Sequence, residues 1–294
     1  MKTILAAVIG GLIVFAGIKY LDSQMQGQVP GRAVQAPAHA PSALDKVMAS
    51  HTLRCAYAAY DPFIIIGANG DVKGIFHDVL EEAAKRLSLK VEWTEEVGYG
   101  NINTGFMTGR YDAFCAGLWP AGSRATSTLF SQAVVWDPVG VWVRGNDNRF
   151  DGHMEALNDP SYKIAVIDGD ATIAMADAMY PKAGRLAVSQ NQTIGEEITQ
   201  VATGKADALF QDYLSADRFM ATSPGSLKNL SPHKPALIYA LTVGYNQGEF
   251  ALRDMVNVVL DDMDRDGTTA RIVKTYLGDK SNLVFHKQGQ YEPY

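Results

Sequence analysis

GRYDAFCAGLWPAGSRATSTLFS, residues Gly109 to Ser131, is the stretch from which the rest of the chain can be ordered. A helix is expected to end at Gly109 and a buried strand to run from Tyr111 to Ala116. The chain then breaks at Gly117 and Pro120 and presents Arg124 at the start of a new segment. The same opening recurs as Gly204-Lys205-Ala206-Asp207-Ala208-Leu209-Phe210, running on into Gln211-Asp212. One unit, helix–Gly–basic–x–Asp–Ala–strand, therefore occurs twice. Each copy delivers a charged residue just past a strand's carboxyl end, the edge where open α/β sheets bind ligands. A cation from one copy and an anion from the other suit a small zwitterion held between two lobes.

The chain has 294 residues and a net charge of −6 spread without long runs, which gives ample core for one large or two modest domains and speaks against nucleic acid as a partner. Two cysteines are too few for a disulfide framework, and the six histidines are scattered, so neither a metal nor another cofactor is indicated. Asp262-Met263-Asp264-Arg265-Asp266-Gly267 imitates the opening of a calcium loop. Its closing position is Val273, where a bidentate glutamate is required, so it reads as a helix end.

Lys2 precedes an apolar run from Ile4 to Ile18, making residues 1–22 either an export signal or an uncleaved membrane anchor. Residues 23–44, rich in Gln, Pro, Ala and Gly, read as a flexible linker. Beyond them, strands are expected at Leu53–Tyr57, Leu89–Trp93, Lys163–Ile167, Leu186–Val188 and Ala208–Phe210. Amphipathic helices are expected at Phe76–Leu87, Thr193–Thr203, Phe250–Met263 and Thr269–Leu277, with a further helix opening at the turn Gly169–Thr172. Alternating strands and helices imply mostly parallel sheets. Two long extended runs, Val134–Val143 (broken at Asp137-Pro138) and Ala236–Tyr245, bracket the middle third. The expected fold is α/β and two-lobed, with residues 45–140 and 245–278 in lobe 1, 141–244 in lobe 2, two hinge strands between them and a polar tail at 279–294.

These residues resemble the type II periplasmic solute-binding proteins, in the polar amino acid branch that feeds ABC importers. Tyr60-Asp61-Pro62-Phe63 is similar to the family's Tyr-x-Pro-Phe, and Gly74-Ile75-Phe76-His77-Asp78 to its Gly-Phe-Asp-x-Asp. Asp112 to Arg124 with Phe130-Ser131, Gly204 to Asp212, and Asp266-Gly267-Thr268 with Tyr276-Leu277-Gly278 keep its spacing; the likeness covers roughly Leu53 to Gly278. It implies that Arg124 grips an α-carboxylate with its two-pronged guanidinium and that Asp212 accepts from the α-ammonium. It further implies that Tyr60 and Tyr99 sandwich the side chain, that Gly117 and Trp119 hold the amino acid, and that the helix opened by Asp170 and Thr172 meets the carboxylate, with Asp170 as its N-cap. Tyr57 stands where relatives selective for cationic side chains carry an acid, which points to a non-cationic ligand. Cys55 and Cys115 fall on neighbouring strands of the family's first lobe, as a disulfide or as two buried thiols.

The function this implies is non-catalytic: a monomeric periplasmic protein, exported or tethered to the inner membrane by its N-terminal segment, that closes on an amino acid and delivers it to an ABC transporter permease in that membrane. Two alternatives stand beside it. One is a dehydratase-like enzyme acting on a small cyclic carboxylic acid, with Asp168, Asp170 and Asp61 as the available acids; the other is an anchored amino acid sensor.

Overall fold

Both copies of the repeated unit fold alike, for reasons visible in their side chains. Gly109 and Gly204 take positive φ, 65° and 77°, in the computed structural model, the left-handed conformation that ends a helix without steric cost only at glycine. Asp112 accepts from the Arg54 N–H at 3.0 Å and pairs with its guanidinium at 2.7 Å. Asp207 accepts from the Lys163 N–H at 2.8 Å and pairs with Arg149 at 2.7 Å. Each aspartate ties its own strand to the start of the parallel strand beside it.

The structure describes residues 40–189 and 192–284, and the described residues from Pro41 form one compact unit. The expected signal or anchor, most of the linker and the end of the tail lie outside the described residues. No helix among those described is long and apolar enough to cross a membrane. Helix α1 (Ala43–Ser50) opens the body, capped by Ser42. Strand β1 (Thr52–Tyr57), a hairpin of β2 (Ile65–Ile66) and β3 (Val72–Lys73), helix α2 (Ile75–Arg86) and β4 (Lys90–Glu96) follow. Next come α3 (Ile102–Thr108), β5 (Ala113–Leu118), β6 (Thr128–Phe130) and the long β7 (Val135–Arg144). The middle third holds β8 (Lys163–Ile167), α4 (Ala171–Met179), β9 (Gly184–Val188), α5 (Ile194–Ala202), β10 (Ala208–Asp212), α6 (Tyr213–Thr222) and β11 (Leu227–Asn229). The long β12 (Leu237–Asn246) returns, and α7 (Phe250–Arg265) and α8 (Thr268–Leu277) close the body.

The strand order β4-β1-β5-β12-β7-β10-β8-β9 explains the two lobes. In one half β1 pairs in parallel with β4 and β5; in the other β8 pairs in parallel with β9 and β10. Apart from the small hairpin, the antiparallel pairings all involve β7 or β12. Those two strands change partner along their length. β7 pairs with β12 over Val135–Val139 and with β10 over Val139–Val143; β12 leaves β7 after Leu241 and joins β5 from Thr242. The result is a mixed α/β molecule of two sheet halves linked by two shared strands.

Three local readings need correction. The run Val134–Val143 is not broken at Pro138, because β7 passes straight through it. At that point β12 is the strand's one ladder partner, so a residue without an N–H is tolerated. Strand β5 likewise continues through Gly117, which takes φ 81°. Helix α6 was not expected; Asp212 caps it by accepting from the Ser215 N–H at 2.7 Å. Cys55 and Cys115, on adjacent strands, form a disulfide with Cα atoms 5.6 Å apart. The Asp262–Gly267 segment is the end of α7, with Asp266 as its C-cap.

Helix α2 shows what anchors the site's first wall. Ile75, Phe76, Val79, Leu80, Ala83 and Ala84 are buried on one face, and each large side chain contributes about 1.5–3 kcal/mol. Its first N–H groups donate to the loop before it, Ile75 to the Pro62 carbonyl and Phe76 to that of Phe63. This seats the Tyr60–Phe63 loop on the helix end. The contact is so close that a Cβ on Gly74 would lie 2.4 Å from the Phe63 oxygen, and Gly74 has φ 129°.

Candidate functional site

Tyr60 sits in a loop closed on itself: its N–H donates to the Ile64 carbonyl at 2.9 Å, and the Ile64 N–H donates back at 2.7 Å. This pins the ring at the carboxyl end of β1. Its hydroxyl faces two buried carboxylates, Asp137 Oδ2 at 2.9 Å and Asp212 Oδ2 at 3.2 Å. Asp212, at the end of β10, also accepts from Gln211 Nε2. Asp137 comes from β7, and its Oδ1 is buried with no hydrogen-bond partner. Burial and then the neighbouring Asp212 push the Asp137 carboxyl well above the usual carboxylate range, opposed in part by the Tyr60 hydroxyl and the Trp119 indole. Burial raises Asp212 as well, opposed by its hydrogen bonds from Ser215 and Gln211. Tyr60 is also held well above its ordinary value, by burial first and then by Asp137.

Arg124 follows β5, the strand of the first copy, and reaches across to the opposite half. It is 6 % exposed. Nη2 donates to the Gly169 carbonyl at 2.8 Å and to Asp170 Oδ2 at 3.1 Å, and Nε to Gly169 at 3.2 Å. A longer bond from Nη2 reaches the Tyr99 carbonyl. Nη1 is buried and has no partner. Asp170 serves two ends at once, because its Oδ1 accepts from the Thr172 N–H at 3.0 Å as the N-cap of α4.

Between these groups lies a small cavity of about 30 Å³. Tyr60, Tyr99, Trp119 and Gly117 line it from β1, β5 and the loop before α3; Ile167, Asp170, Thr172, Ile194, Glu197 and Gln211 line it from the opposite half. Several buried polar atoms around it make no regular hydrogen bond in the protein: Tyr99 Oη, Arg124 Nη1 and Glu197 Oε1, together with Trp119 Nε1 and Asp137 Oδ1, whose side chains lie close enough for the indole to favour the charged form of Asp137. Buried polar groups are almost always paired, so this concentration marks a place built for an external hydrogen-bonding molecule.

Six of the nine residues singled out by sequence line the cavity directly. Arg124 and Asp212 stand just behind it, Arg124 through Asp170 and Asp212 through Gln211 and Tyr60. Tyr57 does not join them: it is half-buried and packs edge-on against Trp93 at 6.0 Å. Three residues went unnoticed. Asp137 could have been found as the lone acid in an apolar strand, and Gln211 as an amide inside a buried one. Glu197 falls on the stripe Ile194, Ile198, Val201 and so had to face inward. It was hidden beside Glu196, whose role as the capping-box partner of Thr193 explains one acid but not two.

Two sheet halves joined by two crossing strands, with a cavity flanked by buried polar groups between the carboxyl ends of their strands, define a two-lobed binding protein. The family model for bacterial extracellular solute-binding proteins, family 3, matches residues 53–279, and the chain belongs to that family. A probable amino-acid ABC transporter-binding protein of Haemophilus influenzae is 23% identical over 244 residues, covering 82% of this chain and 90% of the relative. Among solved structures, an ancestral amino acid-binding protein, AncCDT-1, a precursor of cyclohexadienyl dehydratase, is 25% identical with a TM-score of 0.66. The alignment covers 80% of this chain and 99% of that one. The cysteine-binding protein of Campylobacter jejuni shares the fold at 17% identity and TM-score 0.69, covering 84% of this chain and all of that one, 100%.

Proposed function

We propose that this protein captures an amino acid between its lobes outside the cytoplasm and hands it to an ABC transporter permease. The observation that carries the reading is the pairing of opposite charges across one cavity. Arg124 keeps an unpartnered, buried Nη1 on one side, and Asp212 sits at the end of β10 on the other. The Haemophilus relative supports the transport role. In this reading Arg124 takes the α-carboxylate with help from the amino terminus of α4, and Asp212 takes the α-ammonium through an oxygen now shared by Tyr60 and Gln211. Trp119, Tyr60 and Tyr99 enclose the side chain.

Lobe 1 comprises residues 45–140 and 245–278 and lobe 2 residues 141–244. The partner changes at Val139 and at Leu241–Thr242 support hinges close to those limits. Arg124 with Asp170, Tyr60 with Asp212, and the ion pair of Asp61 with Arg218 at 3.1 Å all join one lobe to the other. A ligand that replaces some of these contacts with better ones draws the lobes together, and the closed form is what a permease recognises. The protein acts as a monomer, and the amino-terminal segment exports it or holds it at the membrane. Membership of a binding-protein family favours the carrier over the dehydratase and sensor alternatives.

A thermal-shift screen against the amino acids tests the reading. A ligand at a hundred times its dissociation constant adds about 2.7 kcal/mol, well within detection. No response to any amino acid, alongside a response to a cyclic carboxylic acid, would transfer the function to the enzyme reading.

A further inference from the structure

Tyr60 offers a single hydroxyl proton to two buried carboxyl groups. Its Oη lies 2.9 Å from Asp137 Oδ2 and 3.2 Å from Asp212 Oδ2. The fold makes the two acids neighbours. Val139 of β7 pairs with Asp212 of β10, and Asp137, two residues earlier on the same face, stands diagonal to it. Two ionised carboxylates cannot both be satisfied by one proton, so a second proton is needed between them. Asp212 has no need of it. Its Oδ1 accepts from the Ser215 N–H at 2.7 Å and its Oδ2 from Gln211 Nε2, the bonds of a charged carboxylate. The second proton therefore belongs on Asp137 Oδ2. It donates to Tyr60 Oη, and the Tyr60 hydroxyl donates in turn to Asp212.

The groups around this chain are accounted for. Besides Tyr60 and Asp212, Asp137 is faced by the Trp119 indole and, in register on β12, by Tyr239. Tyr99 bears on the pair too, but more on Asp170 and Arg124. Arg124 is paired with Asp170, and Glu197, the other buried acid of the cavity, also lies near Asp170. In the amino acid reading above, on which this inference rests, the ligand's α-ammonium takes the Asp212 oxygen that Tyr60 now shares. The Tyr60 hydroxyl is then left with Asp137 as its acceptor, and a carboxyl accepts such a bond best as a carboxylate. We propose that capture of the ligand expels a proton: ammonium binding at Asp212 turns the Tyr60 hydroxyl to Asp137, and the proton on Asp137 leaves for solvent. The O–H bond at Asp137 Oδ2 breaks and its proton passes to water or buffer, while the Tyr60 O–H bond only turns. The buried charge of these groups is unchanged, one carboxylate before and two carboxylates with an ammonium after. Without ligand, burial and Asp212 hold the proton on Asp137 well above the usual carboxylate range. Because binding releases a proton, affinity rises with pH.

Calorimetric titration at pH 7 in phosphate and in imidazole, buffers of different ionisation enthalpy, counts the protons released per ligand bound. The ligand is the tightest binder among the standard amino acids, with any titration of the free ligand subtracted. The unaltered protein is expected to release about 0.5–1 proton, and its affinity to fall about three- to tenfold as the pH drops by one unit from 7.5. Asp137→Asn, whose amide mimics the protonated acid, should still bind, with release near zero and an affinity that hardly changes over the same range. Equal heats in the two buffers for the unaltered protein, or uptake of a proton, overturn the proposal and leave the amino acid reading standing. So does a release that persists in Asp137→Asn, which would place the proton on another group such as Glu197, or a loss of binding in that variant. If no amino acid binds the unaltered protein, the amino acid reading itself fails and takes this one with it.

Discussion

Replacing Asp137 by asparagine should make the protein more stable at pH 7. The side chain is fully buried and lies beside Asp212, and the Tyr60 hydroxyl and Trp119 indole offset that cost only in part. At pH 7 the unfolded chain has this carboxyl ionised, and keeping it protonated or desolvated in the fold costs on the order of 1–3 kcal/mol. An asparagine amide can instead donate to the Tyr60 hydroxyl, freeing that hydroxyl's own proton for Asp212 Oδ2, which it already approaches at 3.2 Å. The substitution should therefore add about 1–3 kcal/mol, or roughly 2–10 °C in melting temperature for a body of this size. The pH dependence has a definite sign. A carboxyl whose pKa is raised by folding keeps its proton where the unfolded chain has lost it. Its burial is harmless below the unfolded value of about 4 and costs progressively more as pH rises from there toward the folded value. The gain in Asp137→Asn should shrink toward zero near pH 4. Urea denaturation of both proteins at pH 4 and pH 7 measures it. A loss of stability at pH 7, or the same gain at both pH values, would refute the argument that the burial of this acid is only partly compensated.

Two further outcomes test the framework around the site. The Cys55–Cys115 disulfide closes a loop of sequence separation 60, so its removal in a Cys55→Ser, Cys115→Ser double variant should cost about 2–5 kcal/mol; an unchanged denaturation midpoint would deny the bond a stabilising role. Gly74→Ala forces a Cβ to 2.4 Å from the Phe63 oxygen at φ 129° and should cost at least about 1–3 kcal/mol of stability, read by thermal melting, with a neutral result contradicting the seating of the Tyr60 loop on α2.

The sequence was most legible where one local rule decides an outcome. The two glycines that end helices, the aspartates after them and the phase of α2 and α5 all follow from the chain itself, and they locate Arg124 and Asp212 at strand ends. What it concealed depends on which strand lies beside which. Pro138 reads as a break until β12 is known to be its ladder partner. Asp137 becomes part of the site because β7 crosses between the halves next to β10. Tyr57 looked like a ligand contact by position alone, yet its ring packs on Trp93 and does not line the cavity. Glu197 could have been read from helical phase, but a neighbouring acid with an ordinary capping role masked it.

The central claim is that Arg124 holds the carboxylate of an amino acid between the lobes. Its most direct test is calorimetric titration of the unaltered protein and Arg124→Ala with the tightest amino acid found in the screen and with the corresponding amine lacking the carboxylate. The account predicts that the unaltered protein prefers the amino acid by about 30-fold or more, the value of a buried charge pair. It also predicts that Arg124→Ala binds the two with similar, weak affinity. If the amine binds the unaltered protein as tightly as the amino acid does, or if Arg124→Ala keeps the full preference, Arg124 is not the carboxylate receptor and the account is wrong at its centre.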